Sequence, residues 1–269
     1  AGGGASFSYH GAGQNDQSIV VDGMAVNAQT TGGGPWTRTT VNNDRAFEET
    51  TIGSGISAEQ ENAGILINMI PREGGNSISG TFALNGSGSR FQSDNLTPEL
   101  VARGVPVQGK VVKLYDAGGG FGGKIKRDRL WFYASDRWWN AATVVPGSFF
   151  NATPQPAFGL LPIYTPDVSR PAVNAAPNHN DNLRLTWQVN DAHKISSFIE
   201  FQSACNCYYS ASATRAPEAG QNLTAPYGSK NIVQVNWNYV RGTKLLFSAG
   251  NSSFFSAGRA EGLRPAETP

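Results

Sequence analysis

Asn182-Leu-Arg-Leu-Thr-Trp-Gln-Val-Asn190 alternates without a break. Successive side chains of an extended chain point to opposite sides, so Leu183, Leu185, Trp187 and Val189 share one face. Asn182, Arg184, Thr186, Gln188 and Asn190 share the other. A strand this asymmetric divides an apolar environment from a strongly polar one. Asp191-Ala-His193 turns the chain, and Ile195 to Ala204 carries it back. Asn231 to Tyr239 repeats the pattern, with Val233, Val235, Trp237 and Tyr239 opposed to Gln234, Asn236 and Asn238. Ser77 to Asn85 does the same, with Ile78, Gly80, Phe82 and Leu84 opposed to Ser77, Ser79, Thr81 and Asn85. Val111 to Lys124, Leu130 to Trp139 and Lys244 to Phe255 are less regular strands of the same kind.

The connections between these seven strands identify the two environments. In order they are long (87–110), short (125–129), long (140–181), short (190–193), long (205–230) and short (240–243). The short ones are polar, as in Lys126-Arg-Asp-Arg129 and Arg241-Gly242. Outer-membrane barrels alternate short periplasmic turns with long external loops in this way. A soluble sandwich has no such order, and long structureless loops are uncommon in compact domains. With residues 1–76 on the periplasmic side, the first strand rises outward and every long connection falls outside. The apolar faces then meet lipid and the polar faces line a lumen.

Composition agrees. The 269 residues carry a formal net charge of +1, are 39% hydrophobic and 15% charged, and include 32 glycines. Such a chain is too apolar to be disordered, and it shows no basic stripe that would mark a nucleic-acid partner. No run of about 18 apolar residues is present to form a membrane helix, and barrel strands leave no such signal. Both ends read as cut, with Ala1-Gly-Gly-Gly at the start and Ala266-Glu-Thr-Pro at the end.

The first 76 residues read as a small α/β unit. Gln17-Ser-Ile-Val-Val-Asp-Gly-Met-Ala-Val26 is a strand broken by an Asp22-Gly23 turn. A Gly/Thr/Asn-rich loop, roughly 27–44, holds Trp36 and Arg38. Phe47 to Ile52 is a short strand, Ser57 to Ala63 one or two helical turns capped by Ser57, and Ile65 to Ile70 a buried strand closed by Pro71.

These residues resemble the TonB-dependent outer-membrane receptors. Gln17 to Asn27 is similar to the Asp-Gly strand of the plug. Ile56 to Phe82 resembles the exit of the plug, with its acidic turn, buried strand, Gly74-Gly-Asn76 and first barrel strand. Gly118-Gly-Gly-Phe-Gly-Gly-Lys-Ile-Lys-Arg-Asp-Arg-Leu-Trp-Phe-Tyr133 resembles the hairpin of the second and third strands. The subgroup that carries an N-terminal carboxypeptidase-regulatory-like domain, called Oar-like, fits best. The resemblance implies a mainly β fold: the C-terminal part of a plug domain (1–76), then about seven antiparallel up-and-down strands of an incomplete barrel (77–269). The chain would be an internal fragment, lacking the energy-coupling box and the closure of the barrel. Members import a scarce solute when an inner-membrane TonB complex moves the plug. The implied partners are that complex, outer-membrane lipid and an unknown external solute, in the outer membrane of a Gram-negative cell. Trp36 and Arg38 would sit in a plug loop facing that solute. Adhesion or protein export, proposed for Oar-like members, and a soluble glycan-binding module are the alternatives.

No catalytic constellation is visible, so no enzyme and no cofactor are expected. Gly118 to Gly123 lacks the Lys-Ser/Thr and the helix of a phosphate loop, and reads as a strand closely approached by the plug. Tyr133, Trp138 and Trp139 read as an aromatic girdle, and His193 as a solvated turn residue. Cys205 and Cys207 are too few for a zinc site, and His10, His179 and His193 are scattered, so no metal site is expected. The two cysteines form either a local disulfide, which an external compartment permits, or two free thiols. A disulfide requires a kink, so the strand is expected to end before Cys205.

Overall fold

The computed structural model describes residues 17–26, 45–54, 65–104, 108–153, 164–209 and 211–262. Two sheets account for almost all of them. The smaller contains β1 (Gln17–Val21), β2 (Met24–Ala25), β3 (Phe47–Ser54) and β4 (Ile65–Pro71) in the order β2-β1-β4-β3. β1 and β4 run parallel and the other pairs antiparallel. The larger contains β5 (Ser79–Gly88), β6 (Val111–Lys126), β7 (Leu130–Asn151), β8 (Pro166–Ala175), β9 (Asn178–Asn190), β10 (His193–Tyr209), β11 (Gln221–Arg241), β12 (Leu245–Ser256) and β13 (Arg259–Gly262). Every pairing in it is antiparallel.

These nine strands make seven staves in sequential up-and-down order. β8 and β9 both pair with β7 and β10, so they are one stave interrupted at Ala176–Pro177. Pro177 has no N–H to give the ladder, while its carbonyl still accepts from the Cys205 amide at 2.9 Å. β12 and β13 likewise both pair with β11.

The expected short turns are in place, between β6 and β7, between β9 and β10, and between β11 and β12. The long connections are shorter than the alternation suggested. The 140–181 stretch is largely β7 and β8, and the 205–230 stretch contributes the ends of β10 and β11. Only the 87–110 stretch keeps its length, holding a 3-10 turn and the short helix α1 (Pro98–Ala102). Backbone pairing does not require an apolar face, so the ladder continues where apolar alternation stops.

The faces follow the alternation. Asn182, Arg184 and Thr186 are buried beneath the smaller sheet, whereas Leu183 and Trp187 are exposed on the outward face. β10 buries Ser196, Phe198, Glu200 and Gln202, and β11 buries Ile232 and Gln234 while exposing Val233 and Val235. Leu185 lies midway along the outward apolar run of β9. In a membrane-embedded wall a charge placed there would meet hydrocarbon, and Leu185→Lys would then cost about 2–4 kcal/mol near the midplane. Urea unfolding in lipid vesicles checks this; an unshifted midpoint would refute the outward assignment. Among the described residues, no helix is long and apolar enough to cross a membrane.

Candidate functional site

The smaller sheet meets the larger one along a seam built from both chemistries. Its apolar centre joins Val21, Val26, Phe47, Ile65, Ile67 and Met69 of the small sheet to Phe198 and Ile232 of the wall. The Phe47 and Phe198 rings lie 5.8 Å apart. Phe198 and Ile232 are apolar intruders on an otherwise polar face and are the wall's buried share of this centre, with half-buried Phe254 of β12 packed against it.

Charged groups hold the seam on either side. Asp22 and Gly23 have φ of 51° and 78°, the left-handed pair that a two-residue hairpin turn requires and that Asp-Gly supplies. This turn presents Asp22 to Arg184 of β9, at 3.0 Å from Nη1. The Arg184 Nη2 atom reaches Glu73 at 2.8 Å, and Lys194 of β10 meets the same carboxylate at 3.2 Å. Gln234 of β11 donates to the Val21 carbonyl at 3.2 Å. Toward the far end of β6 and β7, Arg137 grips Asp116 through Nε at 3.0 Å and Nη2 at 2.6 Å, and Arg45 of the small sheet's side joins at 3.1 Å.

The glycine run of β6 explains how the chain approaches so closely there. Tyr133 lies across Gly120 and Gly122, and its hydroxyl donates to the Arg45 carbonyl at 2.9 Å. A side chain on Gly120 would begin 2.5 Å from that hydroxyl and 3.2 Å from the carbonyl. The close approach expected from the glycines is therefore mediated by Tyr133.

Burial raises the Glu73 carboxyl, but the Arg184 hydrogen bond and the charges of Lys194 and Arg184 outweigh it, holding the group below its ordinary value. Its contribution to the seam is complete above that ordinary value, about 4.5, and is lost as the pH falls through the lowered one. Acidification should therefore loosen the seam below about pH 4.5, and Glu73→Gln should flatten that part of the profile. Protease sensitivity of the small sheet against pH measures it; identical profiles for both proteins would remove Glu73 from the interface.

Trp36 and Arg38 lie outside the described residues. Their segment departs from Val26 and returns at Arg45, both buried in the seam. The helical turns expected over Ser57 to Ala63 lie outside them too. Cys205 and Cys207 are joined as a disulfide with a Cα separation of 5.3 Å. The strand does not end before Cys205, contrary to expectation: β10 runs on to Tyr209. The kink comes from irregularities in its ladder, between Gln202 and Ala204 and between Asn206 and Tyr209, where Tyr208 has a φ of 55°. A bulged strand turns through the bond without leaving the sheet.

Two further expectations are corrected. Tyr133 and Trp139 belong to the seam face, since Trp139 pairs with the inward Asp116 and carries Arg137 at 5.0 Å from its ring. Only Trp138, at the even position between them, faces outward and fits a girdle. His193 is more than a solvated turn residue: its Nδ1 accepts from Trp237 Nε1 at 3.0 Å, and its ring stacks on Tyr239.

The pairing also creates a cluster that sequence spacing hides. Asp136 of β7 and Asp181 of β9 stand directly opposite. His179 Nε2 lies 2.8 Å from the first and 3.2 Å from the second, all on the outward face.

No protein-family model matches the chain, and no curated protein matches it significantly. Solved structures do. A mutant of the ferric enterobactin receptor of Pseudomonas aeruginosa superimposes with a TM-score of 0.54 at 15% identity, over 87% of this chain and 32% of that one. A second mutant, bound to enterobactin, gives 0.53 at 15% identity over 86% and 32%. The chain thus spans about a third of the length of these receptors. What is shared is the fold, a TonB-dependent receptor's antiparallel β wall.

Proposed function

We propose that the chain is an internal part of a TonB-dependent outer-membrane receptor, which draws a scarce solute across the outer membrane of a Gram-negative cell by moving its plug. Residues 1–76 are then the later part of the plug and residues 77–269 the first staves of the barrel. The observation that carries this reading is the seam. A small sheet lies on the polar face of the wall, held by a few apolar residues (Phe198, Ile232 and Phe254) and by ion pairs at Arg184 and Asp116 rather than by a continuous core. Contacts of this kind hold firmly yet separate without unfolding either sheet, since polar interfaces between units favour relative motion. The likeness to ferric enterobactin receptors supports a receptor role and makes an iron chelate the first solute to test.

Trp36 and Arg38 offer an aromatic face and a fixed cation to that solute. The inner-membrane TonB complex supplies the pull, outer-membrane lipid surrounds the wall, and the protein carries out no covalent chemistry. The Oar-like subgroup remains the best-fitting branch on the residues quoted above.

Plug movement is tested by tying the seam. Cysteines placed at Asp22 and Arg184 of the complete protein and bridged by a bismaleimide should abolish uptake of radioiron from ferric enterobactin, while either single cysteine leaves it intact. Uptake that persists through the bridge refutes plug movement. Uptake that is absent even in the unbridged protein refutes the iron chelate as solute.

A further inference from the structure

We infer that Asp136, His179 and Asp181 form a zinc-class metal site on the outward face of the wall, at the external end of its lipid-facing band. The ligand set is mixed, one imidazole nitrogen and two carboxylates, the combination that suits zinc and its neighbours better than calcium or magnesium. The three donor atoms lie within 4.8 Å of one another. His179 Nε2 stands 2.8 and 3.2 Å from the carboxylate oxygens. Donors around a tetrahedral zinc, at about 2.0–2.1 Å from the metal, are spaced roughly 3.3–3.4 Å apart. The two contacts of His179 are within about half an ångström of that spacing, so seating the ion requires the carboxylates to adjust around a fixed imidazole. Three protein ligands leave the fourth position open to water.

The surroundings are those of a positioned site rather than a chance meeting of acids. Asp136 and Asp181 are direct cross-strand partners, an opposition of like charges that destabilises a sheet unless something positive lies between them. The His179 ring is fixed between two aromatic rings, stacked on Trp138 at 3.5 Å and on Tyr227 at 5.4 Å. Trp138 Nε1 donates to Asp136 at 3.0 Å, and the Tyr227 hydroxyl donates to Asp181 at 2.5 Å. Each carboxylate thus has its second oxygen tied back by an aromatic donor, leaving the first for the ion. Such outer contacts orient ligands and sharpen affinity.

The location gives the site a role. On β9, the outward residues below Asp181 are Leu183, Leu185, Trp187 and Val189, which form the apolar band. His179 and Asp181 sit one step above it, and Trp138 and Tyr227 are exposed beside them. An ion here pins β7 to β9 at the membrane surface, and Tyr227 extends the tie to β11. It lies on the opposite side of the wall from the seam, so it is independent of the solute path.

The test uses the complete protein, stripped of metal and held in detergent. Titration should show one Zn2+ bound per chain against a micromolar chromogenic competitor, and Co2+ in its place should give the visible absorption bands of a tetrahedral centre. Asp181→Asn and His179→Ala should each abolish that binding. Tyr227→Phe, which leaves all ligands in place, should weaken it about 10–100-fold. Heat-modifiable migration on gels confirms that each variant retains its barrel, and Asp136→Asn replaces any that does not. If the wild-type protein leaves all Zn2+ with the competitor, the three groups are a hydrogen-bonded cluster only and the proposal fails. Undiminished binding in folded Asp181→Asn overturns it equally.

Discussion

Phe198→Ala should detach the small sheet from the wall while leaving the wall assembled. Phe198 is 2% exposed and packs on Phe47 within the cluster that also contains Val21, Val26 and Ile67. Truncating a buried Phe removes its transfer energy and leaves a cavity, together about 3–5 kcal/mol. The rest of its face is polar, so nothing apolar on β10 can slide in to fill the gap. With a urea dependence of about 1–3 kcal/mol per molar, the midpoint for exposing the small sheet to protease should fall by roughly 1–5 M. Heat-modifiable migration of the barrel should not change, because the hydrogen-bonded ladder of β10 with β9 and β11 does not use this side chain. A variant that loses both together would show that sheet and wall share one core.

Gly120→Leu should be the most damaging change on β6. A side chain there collides with the Tyr133 ring and crowds the Arg45 carbonyl behind it. Overpacking of this kind costs about 1–3 kcal/mol. Displacing Tyr133 also leaves that carbonyl without its donor, at about 1–3 kcal/mol for a buried group. Tyr133→Phe separates the two effects, since it removes only the hydroxyl and should cost near the lower of these. Protease release of the small sheet reads both variants. Equal stability of Gly120→Leu and the parent protein would mean that the close approach has no energetic weight.

Period two made the faces of β9 and β11 legible, because inward amides and outward aliphatics differ so sharply there. It carried further information that went unread. In Ile195 to Gln202, Phe198 is the one aromatic residue on the face of Ser196, Glu200 and Gln202, and it marks the contact with the small sheet. The same parity separates Trp138 from Tyr133 and Trp139, which composition alone had grouped. Strand ends were less legible, since a backbone ladder needs no apolar face and Cys205-Asn-Cys207 can ride inside a strand. The Asp136–His179–Asp181 cluster was not legible at all. Its members are 43 residues apart between His179 and Asp136, and only the register of β7 on β9 makes them neighbours. The ion pairs of Arg184 with Asp22 and Glu73 are hidden for the same reason, at separations of 162 and 111 residues.

The parallel pairing of β1 with β4, and the placing of Phe198 and Ile232 beneath them, impose an order on folding. Each stave of the wall pairs with its neighbour through a hairpin, so short closures can zip the wall progressively. In the small sheet the β1–β2 hairpin closes as locally, but the parallel β1–β4 pair has no such route. β1 must wait for β4 across the intervening segment, and its apolar side is covered only once β10 and β11 stand beside each other. Until then Val21, Ile65 and Ile67 face water, and closing so long a span gains nothing to offset its entropy. The portion synthesised earlier is therefore the later to mature. During that interval its exposed aliphatic residues are what a holding chaperone would grasp, and mutations that slow the docking of β10 on β11 should lengthen the hold rather than change the finished fold.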